Sequence, residues 1–382
     1  MFQNLCCVPS VFYFFDRDKN LYNYYSNLYL NLQSKFKYFR NKITCMRIKK
    51  KFQDAESKKK LSKNITKYSE KLNKVKDEIK RFILGQEDVI DNVLTCFVAD
   101  GHALLEGVPG IAKTYLIKTL SDTISNATFQ RIQFTPDLLP SDIIGLVIYN
   151  PKKGFYTQKG PVFSNFILAD EINRAPPKVQ SAMLECMQER IVTIGKQTFE
   201  LPKPFLVLAT ENPLEQMGTY PLPEAQIDRF LFKIYVDYPP KEDEIKIIDN
   251  NMDTNRYKKN VVQKILTPKD IINIQSIARK IYISDEIKKY IVDIVFSTRE
   301  KKGLKYSKYI EWGASPRASI ALATASKAYA LMNNRTFVIP DDIKRVAYPV
   351  LRHRIILNYE GKALNITTDK IIKEITEKIP VP

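Results

Sequence analysis

The chain has 382 residues, of which 44% are hydrophobic, and its net charge is +18. This length is enough for about two or three domains with a sizeable core. No apolar run reaches the roughly 18 residues that a membrane-spanning helix needs, so we expect no membrane span. The five cysteines form no C-x-x-C pair, which argues against a disulfide framework and a zinc site and fits a reducing compartment.

The positive charge is concentrated near the N-terminus. Residues 1–81 contain 20 Lys/Arg and 7 Asp/Glu, a net charge of +13, which leaves +5 for the rest of the chain. This favours a solvated tail or a basic helix over nucleic-acid binding, for which no motif is present. A role on DNA or RNA would need the Lys-rich residues 54–81 to bind it.

Residues 1–53 contain only Asp16 and Asp18 as acids and are rich in Asn, Lys, Tyr and Phe. This composition is typical either of an import segment or of a poorly ordered extension. We therefore expect a cytoplasmic protein, or a protein of the plastid or mitochondrion if residues 1–53 direct import.

The first regular pattern is helical. Residues 54–81 are predicted to be an amphipathic helix or linker, because apolar residues recur every three or four positions: Ile65, Tyr68, Leu72, Val75 and Ile79. A turn at 83–86 then leads into a predicted helix at Glu87–Val98.

Between His102 and Val236, short apolar strands alternate with helices, which predicts a mostly parallel sheet covered on both faces. Predicted strands lie at 102–106, 129–134, 166–169, 205–209 and 231–236, and predicted helices begin at Lys113 and Lys178. Ligands of such sheets bind beyond the C-terminal ends of the strands.

Two insertions interrupt this alternation. Residues 191–201 are predicted to be a β-hairpin that turns at Gly195, and residues 135–163 to be loops and short strands. After a linker at 239–266, helix-start signals recur from Thr267 onward, at 267–268, 284–286, 315–316, 340–342 and 367–369. We therefore assign 82–238 to an α/β domain and 267–382 to a small all-α domain.

The run Gly107-Val108-Pro109-Gly110-Ile111-Ala112-Lys113-Thr114 follows the first of these strands. It matches the phosphate-loop pattern G-x-x-x-x-G-K-[ST], except that Ala112 replaces the last glycine. In this pattern backbone N–H groups point at phosphate oxygens, Lys113 adds positive charge and the Thr114 hydroxyl binds Mg²⁺. Taken alone, the run could also be an ordinary strand-turn-helix.

A second polar cluster follows the apolar strand at 166–169. Asp170 could hold Mg²⁺ together with Thr114, and Glu171 could polarise the attacking water; alternatively, both acids cap the next helix. Asn212, after the next strand, could help to position that water or could be a turn residue. Arg229 and Arg317 look like surface arginines by composition alone, and we expect structural roles for His102 and His353.

Four ordered segments carry a resemblance to a known family: GVPGIAKT, ILADEINRAPPKVQSAMLECMQER, ATENPLEQMGTYPLPEAQIDRF and GASPRA. Together they resemble the MoxR family of AAA+ ATPases, and the match covers about residues 82–360. An A-K-T ending such as Ala112–Thr114 is similar to a variant found in that family. The resemblance implies an AAA+ P-loop core, in which helices sandwich a parallel sheet, followed by an all-α lid at 267–382.

The resemblance also implies roles for individual residues. Asp170 and Glu171 would be the Walker B pair and Asn212 a sensor. Arg229 would reach into the neighbouring subunit's site, with Arg174 as a second candidate for that role, and Arg317 would couple the lid to the γ-phosphate. The expected ATP-contacting residues are Gly85, Gln86, Gly107, Val108, Pro109, Gly110, Ile111, Ala112, Lys113, Thr114 and Tyr115.

The implied function is ATP hydrolysis with Mg²⁺ in a ring, expected to be hexameric, that remodels, assembles or activates protein complexes. A von Willebrand A domain protein is an expected partner. The insertions resemble those of the helix-2-insert branch, which includes magnesium-chelatase ATPase subunits, and would pass the nucleotide state to a partner. A chelatase-like motor subunit and a nucleotide-gated scaffold with little hydrolysis remain alternatives, and the client stays unidentified.

Overall fold

A five-stranded parallel sheet in the order β2-β5-β8-β1-β9 forms the centre of the computed structural model. This arrangement confirms the predicted α/β class. The strands of the chain are β1 (Ala103–Glu106), β2 (Phe129–Gln133), β3 (Gly145–Asn150), β4 (Gly154–Lys159), β5 (Phe166–Asp170), β6 (Ile191–Ile194), β7 (Gln197–Glu200), β8 (Leu206–Glu211), β9 (Phe232–Tyr235), β10 (Ile310–Trp312) and β11 (Ile356–Leu357).

The structure describes residues 59–108, 110–111, 113–152, 154–213, 218–252, 261–300 and 303–382. The chain forms two units, Met1–Leu61 and Ser62–Pro382. The expected import segment or extension at 1–53 lies outside the described residues, and all elements discussed below belong to the second unit. None of the described helices is long and apolar enough to cross a membrane.

Helices cover both faces of the sheet. They are α1 (residues 62–82 within the second unit), α2 (Glu87–Val98), α3 (Lys113–Asp122), α4 (Pro140–Ile144), α5 (Pro177–Glu189), α6 (Glu224–Ile227), α7 (Lys241–Met252), α8 (Pro268–Arg279), α9 (Asp285–Ser297), α10 (Pro316–Met332), α11 (Pro340–Leu351), α12 (Tyr359–Ala363) and α13 (Thr368–Lys378).

Strand β5 shows how the sheet is buried on both faces. Ile167 and Ala169 belong to a buried cluster with Met183 of α5, whereas the Phe166 ring lies 5.4 Å from that of Phe97 on α2. Successive side chains of a strand point to opposite faces, so a strand between two helical layers needs apolar residues at every position. The continuous apolar run before Asp170 follows from this requirement.

The two insertions form antiparallel hairpins, and the turn of the second contacts the middle of the first. Strands β3 and β4 pair over their whole length, as do β6 and β7. The Thr157 hydroxyl donates to Gln197 Oε1 at 3.5 Å, and Val147 packs so closely that a Cβ on Gly195 would lie 2.9 Å from it. The first insertion also contains the helix α4, which the sequence did not predict.

The lid domain departs from the all-α expectation, because β10 and β11 form a small antiparallel sheet within it. Its helices α8 to α11 and α13 begin where the sequence predicts, whereas the short α12 was not predicted. Thr267 caps α8 by accepting from the Asp270 amide at 3.1 Å, and Ser284 caps α9 by accepting from the Ile287 amide at 3.3 Å. Helix α7 occupies part of the predicted 239–266 linker, where sequence analysis anticipated no helix.

Helix α1 spans the junction between the α/β domain and the lid. The five apolar residues that predicted it are all buried. The Ser69 hydroxyl donates to the Met332 carbonyl of α10 at 2.8 Å, and Lys76 pairs with Asp91 of α2 at 2.5 Å. The amphipathic face therefore packs against both domains.

Candidate active site

The phosphate-loop sequence lies between β1 and α3, at the C-terminal edge of the sheet. Gly107 is required by close packing, since a Cβ there would lie 2.3 Å from the Val236 carbonyl oxygen. Gly110 is required by its backbone, whose φ of +86° is unfavourable for other residues. Pro109 and Ala112 lie outside the described residues. The two glycines are thus required for different physical reasons, Gly107 by close packing and Gly110 by its backbone conformation.

Gln86, one of the two predicted residues before the loop, contacts it directly through its side chain. The Gln86 amide donates to the Ile111 carbonyl at 3.2 Å and is buried. Gly85 has a φ of +73°, which allows the chain to turn into α2. Thr114 and Tyr115 follow in the first turn of α3, and the Tyr115 ring lies 6.3 Å from Phe82 at the end of α1. The residues just before α2 therefore lie beside the described part of the loop.

Lys113 points back over the loop. Its ammonium donates to the carbonyl oxygen of Gly107. Burial lowers the pKa of Lys113, and the nearby carboxylates of Asp170 and Glu171 act in the opposite direction. A half-buried cation at the N-terminus of a helix is an arrangement that attracts phosphate oxygens.

Asp170 ends β5, and donors from both neighbouring strands hold its carboxylate. The Thr210 hydroxyl, on β8, donates to Oδ1 at 2.6 Å. The Arg131 guanidinium, on β2, donates to Oδ2 from Nη2 at 2.6 Å and from Nε at 3.0 Å. The carboxylate therefore has one fixed orientation beside the loop, and hard oxygen ligands of this kind suit Mg²⁺.

Glu171 adopts a left-handed backbone conformation with φ of +55°. Its amide donates to the Thr210 hydroxyl at 2.8 Å, and Gln133 donates to its Oε2 at 2.9 Å. Its side chain makes no capping hydrogen bond to the turn that follows. The alternative that Glu171 serves as a helix cap is therefore not supported by its contacts.

Arg174, the second candidate for a role in the neighbouring site, lies beside Glu171 of its own chain. Its Nε is 2.9 Å from Glu171 Oε2. Asn212 follows β8 and is buried. Since β8 pairs with β5, the end of β8 that leads to Asn212 lies next to the strand that ends at Asp170. Thr210 is the residue of β8 that contacts that carboxylate.

Three residues of this site were not predicted from the sequence: Thr210, Arg131 and Gln133. All three lie at or near the C-terminal ends of the strands that flank β5. Polar side chains at the ends of adjacent parallel strands meet at one edge of the sheet. This rule identifies the three residues only once the order of the strands in the sheet is known.

Arg229 and Arg317 lie at the N-terminal edge of the sheet, where the parallel strands begin. Both line one cavity of about 150 Å³ with His102, which precedes β1, whereas the phosphate loop follows β1. Arg229 is exposed and, within the described residues, makes no ion pair. Arg317 Nη1 lies 3.3 Å from Asp228 Oδ2. The fold thus brings the two arginines together and separates them from Lys113 of the same chain.

The two histidines have structural roles, as expected. His102 is buried, contacts the Met187 carbonyl at 3.0 Å through Nε2 and accepts the Val207 amide at Nδ1. Burial lowers its pKa to about 3. His353 contacts the Phe230 carbonyl at 3.1 Å, and burial lowers its pKa well below the ordinary range.

Comparison with known proteins assigns both domains. Residues 102–232 match the ATPase family associated with various cellular activities (AAA), and residues 306–375 match the AAA lid domain.

The curated relatives match most of the chain. It is 46% identical to "Chaperone MoxR1" of Mycobacterium tuberculosis over 313 residues, which cover 80% of this chain and 81% of that protein. It is 43% identical to "Uncharacterized protein YeaC" of Bacillus subtilis over 81% of this chain and 95% of that protein. A crystal structure from Cytophaga hutchinsonii is 50% identical, with a TM-score of 0.79 over 85% of this chain and 98% of that chain.

Proposed function

Since the chain belongs to the MoxR family of AAA+ ATPases, we propose that it hydrolyses ATP in a hexameric ring and uses the energy to remodel, assemble or activate partner protein complexes. The observation that carries this proposal is the separation of Lys113 and the carboxylate pair from Arg229 and Arg317 at opposite edges of one sheet. A chain with this arrangement has a complete set of hydrolytic groups only when a second subunit supplies the arginines.

The C-terminal edge of the sheet supplies binding and water activation. The loop amides and Lys113 bind the β- and γ-phosphates. Mg²⁺, held through Thr114 and Asp170, would neutralise charge that develops on the phosphates. Glu171 accepts a hydrogen bond from the attacking water and draws its proton away, with Asn212 beside it. Thr210 fixes Asp170 and Glu171 relative to each other, because its hydroxyl donates to the Asp170 carboxylate and accepts the Glu171 amide.

The N-terminal edge of the sheet supplies positive charge to the site of the neighbouring subunit. Arg229 is exposed, and a guanidinium is always charged and shaped to bind two phosphate oxygens. The resemblance implies that Arg317 couples the lid to the γ-phosphate, and its position beside Arg229 favours the γ-phosphate of the adjacent subunit. Arg174, paired with Glu171 in its own chain, is better suited to holding that carboxylate than to reaching another site.

The two hairpins transmit the nucleotide state to a partner. They are built on the elements that flank the carboxylate pair, since β3 and β4 precede β5 and β6 follows α5. The β3–β4 hairpin exposes Tyr149 and Phe155, at 61% and 78%, and their rings lie 5.0 Å apart. An exposed aromatic pair of this kind is suited to gripping a protein client. A von Willebrand A domain protein is the expected adaptor.

The proposal is tested by phosphate release at protein concentrations that permit assembly. We expect ATP turnover whose rate per subunit rises with protein concentration, together with a ring of six subunits in native mass spectrometry. A Glu171→Gln variant should hold ATP and capture client complexes, whereas Lys113→Ala should capture none. Nucleotide binding without phosphate release at every concentration would instead identify a nucleotide-gated scaffold.

A further inference from the structure

We propose that Arg354 of the lid is a positioning residue for Arg229, through which the lid of one subunit controls the arginine delivered to the next. This inference rests on the proposed function. Arg354 lies just beyond α11, and only 2% of its side chain is exposed. Asp228 belongs to the α/β domain, 126 residues before Arg354 in the sequence.

Arg354 binds the segment that carries Arg229 at several points. Its Nε donates to Asp228 Oδ1 at 2.7 Å. Its Nη2 donates to the carbonyls of Asp228 at 3.2 Å and Phe230 at 2.7 Å, and its Nη1 donates to the Leu231 carbonyl at 3.2 Å. One buried guanidinium therefore binds a carboxylate and three carbonyls on both sides of Arg229.

The two preceding lid residues extend this contact. His353 bonds to the Phe230 carbonyl at 3.1 Å, and Arg352 Nη1 donates to the Lys233 carbonyl at 3.2 Å. Arg352 is itself held by Asp369, 2.7 Å away. We call residues 352–354 the lid clamp. It holds the backbone from Asp228 to Lys233, and so couples the lid to the residues that carry Arg229 and lead into β9.

Asp228 links the clamp to the second arginine of this edge. Its carboxylate pairs with Arg354 at 2.7 Å and with Arg317 at 3.3 Å, and it accepts from the Ser315 hydroxyl at 3.3 Å. The acid therefore balances two guanidinium groups beside Arg229. Loss of Arg354 would leave a partly buried carboxylate and several carbonyls without this donor, which is costly and allows the segment to shift.

This arrangement assigns a specific role to the lid. A lid rotation in one subunit displaces residues 228–231, which precede β9, through the clamp and so moves Arg229 relative to the neighbouring site. Arg354 itself is buried and touches no reacting atom. Its removal should therefore affect the turnover of the adjacent subunit, while nucleotide binding at its own phosphate loop is retained.

The first measurement compares steady-state hydrolysis by Arg354→Gln, Arg354→Lys and wild type. We expect kcat of Arg354→Gln to fall roughly 100-fold, as for a misplaced catalytic group, with nucleotide affinity within about twofold of wild type. Lysine keeps a cation for Asp228 but lacks the planar fork, so kcat should lie between the other two values. The matched control is Arg345→Gln, which removes a lid contact to Asp88 of α2 and should leave kcat unchanged.

The second measurement uses mixed rings. Glu171→Gln subunits lack the base but carry an intact Arg229, so mixing them with Arg354→Gln should raise the rate at least about fivefold above the sum of the separate rates. Mixing Arg354→Gln with Arg229→Ala should not raise the rate, since neither variant presents a correctly positioned arginine at residue 229. A purely structural role for Arg354 predicts no recovery with either partner.

The outcomes separate the two proposals. The positioning role is overturned if both Arg354 variants have wild-type kcat. It is also overturned if, on mixing with Glu171→Gln, Arg229→Ala recovers activity and the Arg354 variants do not. Full activity of Arg229→Ala alone instead overturns the proposed arrangement of the ring. If Arg354→Gln does not fold, Arg354→Lys is subjected to the same mixing experiment and judged by the same outcomes.

Discussion

The Thr210 hydroxyl donates to Asp170 at 2.6 Å and accepts the Glu171 amide at 2.8 Å. A single side chain near the end of β8 therefore orients both Asp170, the proposed Mg²⁺ ligand, and Glu171, the proposed base. Both contacts cross between strands that are distant in sequence, and neither was predicted.

Thr210→Val should lower kcat with little change in nucleotide affinity, because valine keeps the shape of threonine and loses both hydrogen bonds. We expect a decrease of roughly tenfold to a hundredfold, which corresponds to about 1.5–3 kcal/mol for a hydrogen bond to a charged group. Phosphate-release kinetics measure it. Thr210→Ser, which keeps the hydroxyl, is the control, and equal rates for valine and serine would remove this role.

Lys113→Ala should abolish nucleotide binding, since the ammonium that lies over the loop is the main positive charge for the β- and γ-phosphates. Titration with a fluorescent nucleotide measures the loss. Lys118→Ala removes an exposed lysine of the same helix and should bind as wild type. Wild-type affinity in Lys113→Ala would show that the loop does not hold the phosphates.

Glu171→Gln should bind ATP and turn it over roughly 10²–10⁴-fold more slowly, the usual contribution of a general base. The amide keeps the size of the side chain but accepts no proton from water. Single-turnover kinetics with bound ATP measure the chemical step separately from product release. Rapid turnover by this variant would assign water activation to another group.

Arg229→Ala should retain ATP binding and assembly and lose turnover by roughly 10³–10⁵-fold, as arginines that reach across to a transferring phosphoryl group do. Arg317→Ala should behave alike, because both side chains line one cavity at the same edge of the sheet. Rates and oligomer size are measured together on each variant. An Arg317→Ala defect that mixing with Glu171→Gln does not relieve would place Arg317 in its own subunit's site.

Acid should destabilise the fold partly through His102. Its pKa is about 3 when folded, against 6.5 ordinarily, so the unfolded chain takes up a proton that the folded chain does not. Stability is therefore lost as pH falls below about 6.5, by roughly 2 kcal/mol at pH 5. Denaturant unfolding at pH 7 and pH 5 measures it. His102→Gln should lose less stability over this interval than wild type, and an equal loss in both would contradict the assignment.

Much of the site was predictable because it depends on short stretches of chain. The phosphate loop, the apolar run before Asp170 and the serine and threonine caps of the lid are local patterns, and local patterns specify strands, turns and helix starts. The structure places Lys113 beside Asp170 and Glu171 as that reasoning requires. Helix α4 and the β10–β11 pair escaped prediction because elements of two to five residues carry too little periodicity to identify.

By itself the sequence determined the α/β class, the family and the candidate residues for phosphate binding, since each follows from consecutive residues and their order. Only the tertiary structure decided which distant side chains meet: Arg131 and Thr210 at Asp170, and Arg354 at Asp228. The physical reason is that strand order and lid docking bring these groups together through packing of whole domains, and no local pattern encodes that. The same docking places Arg317 beside Arg229, across the sheet from the loop that its own chain provides.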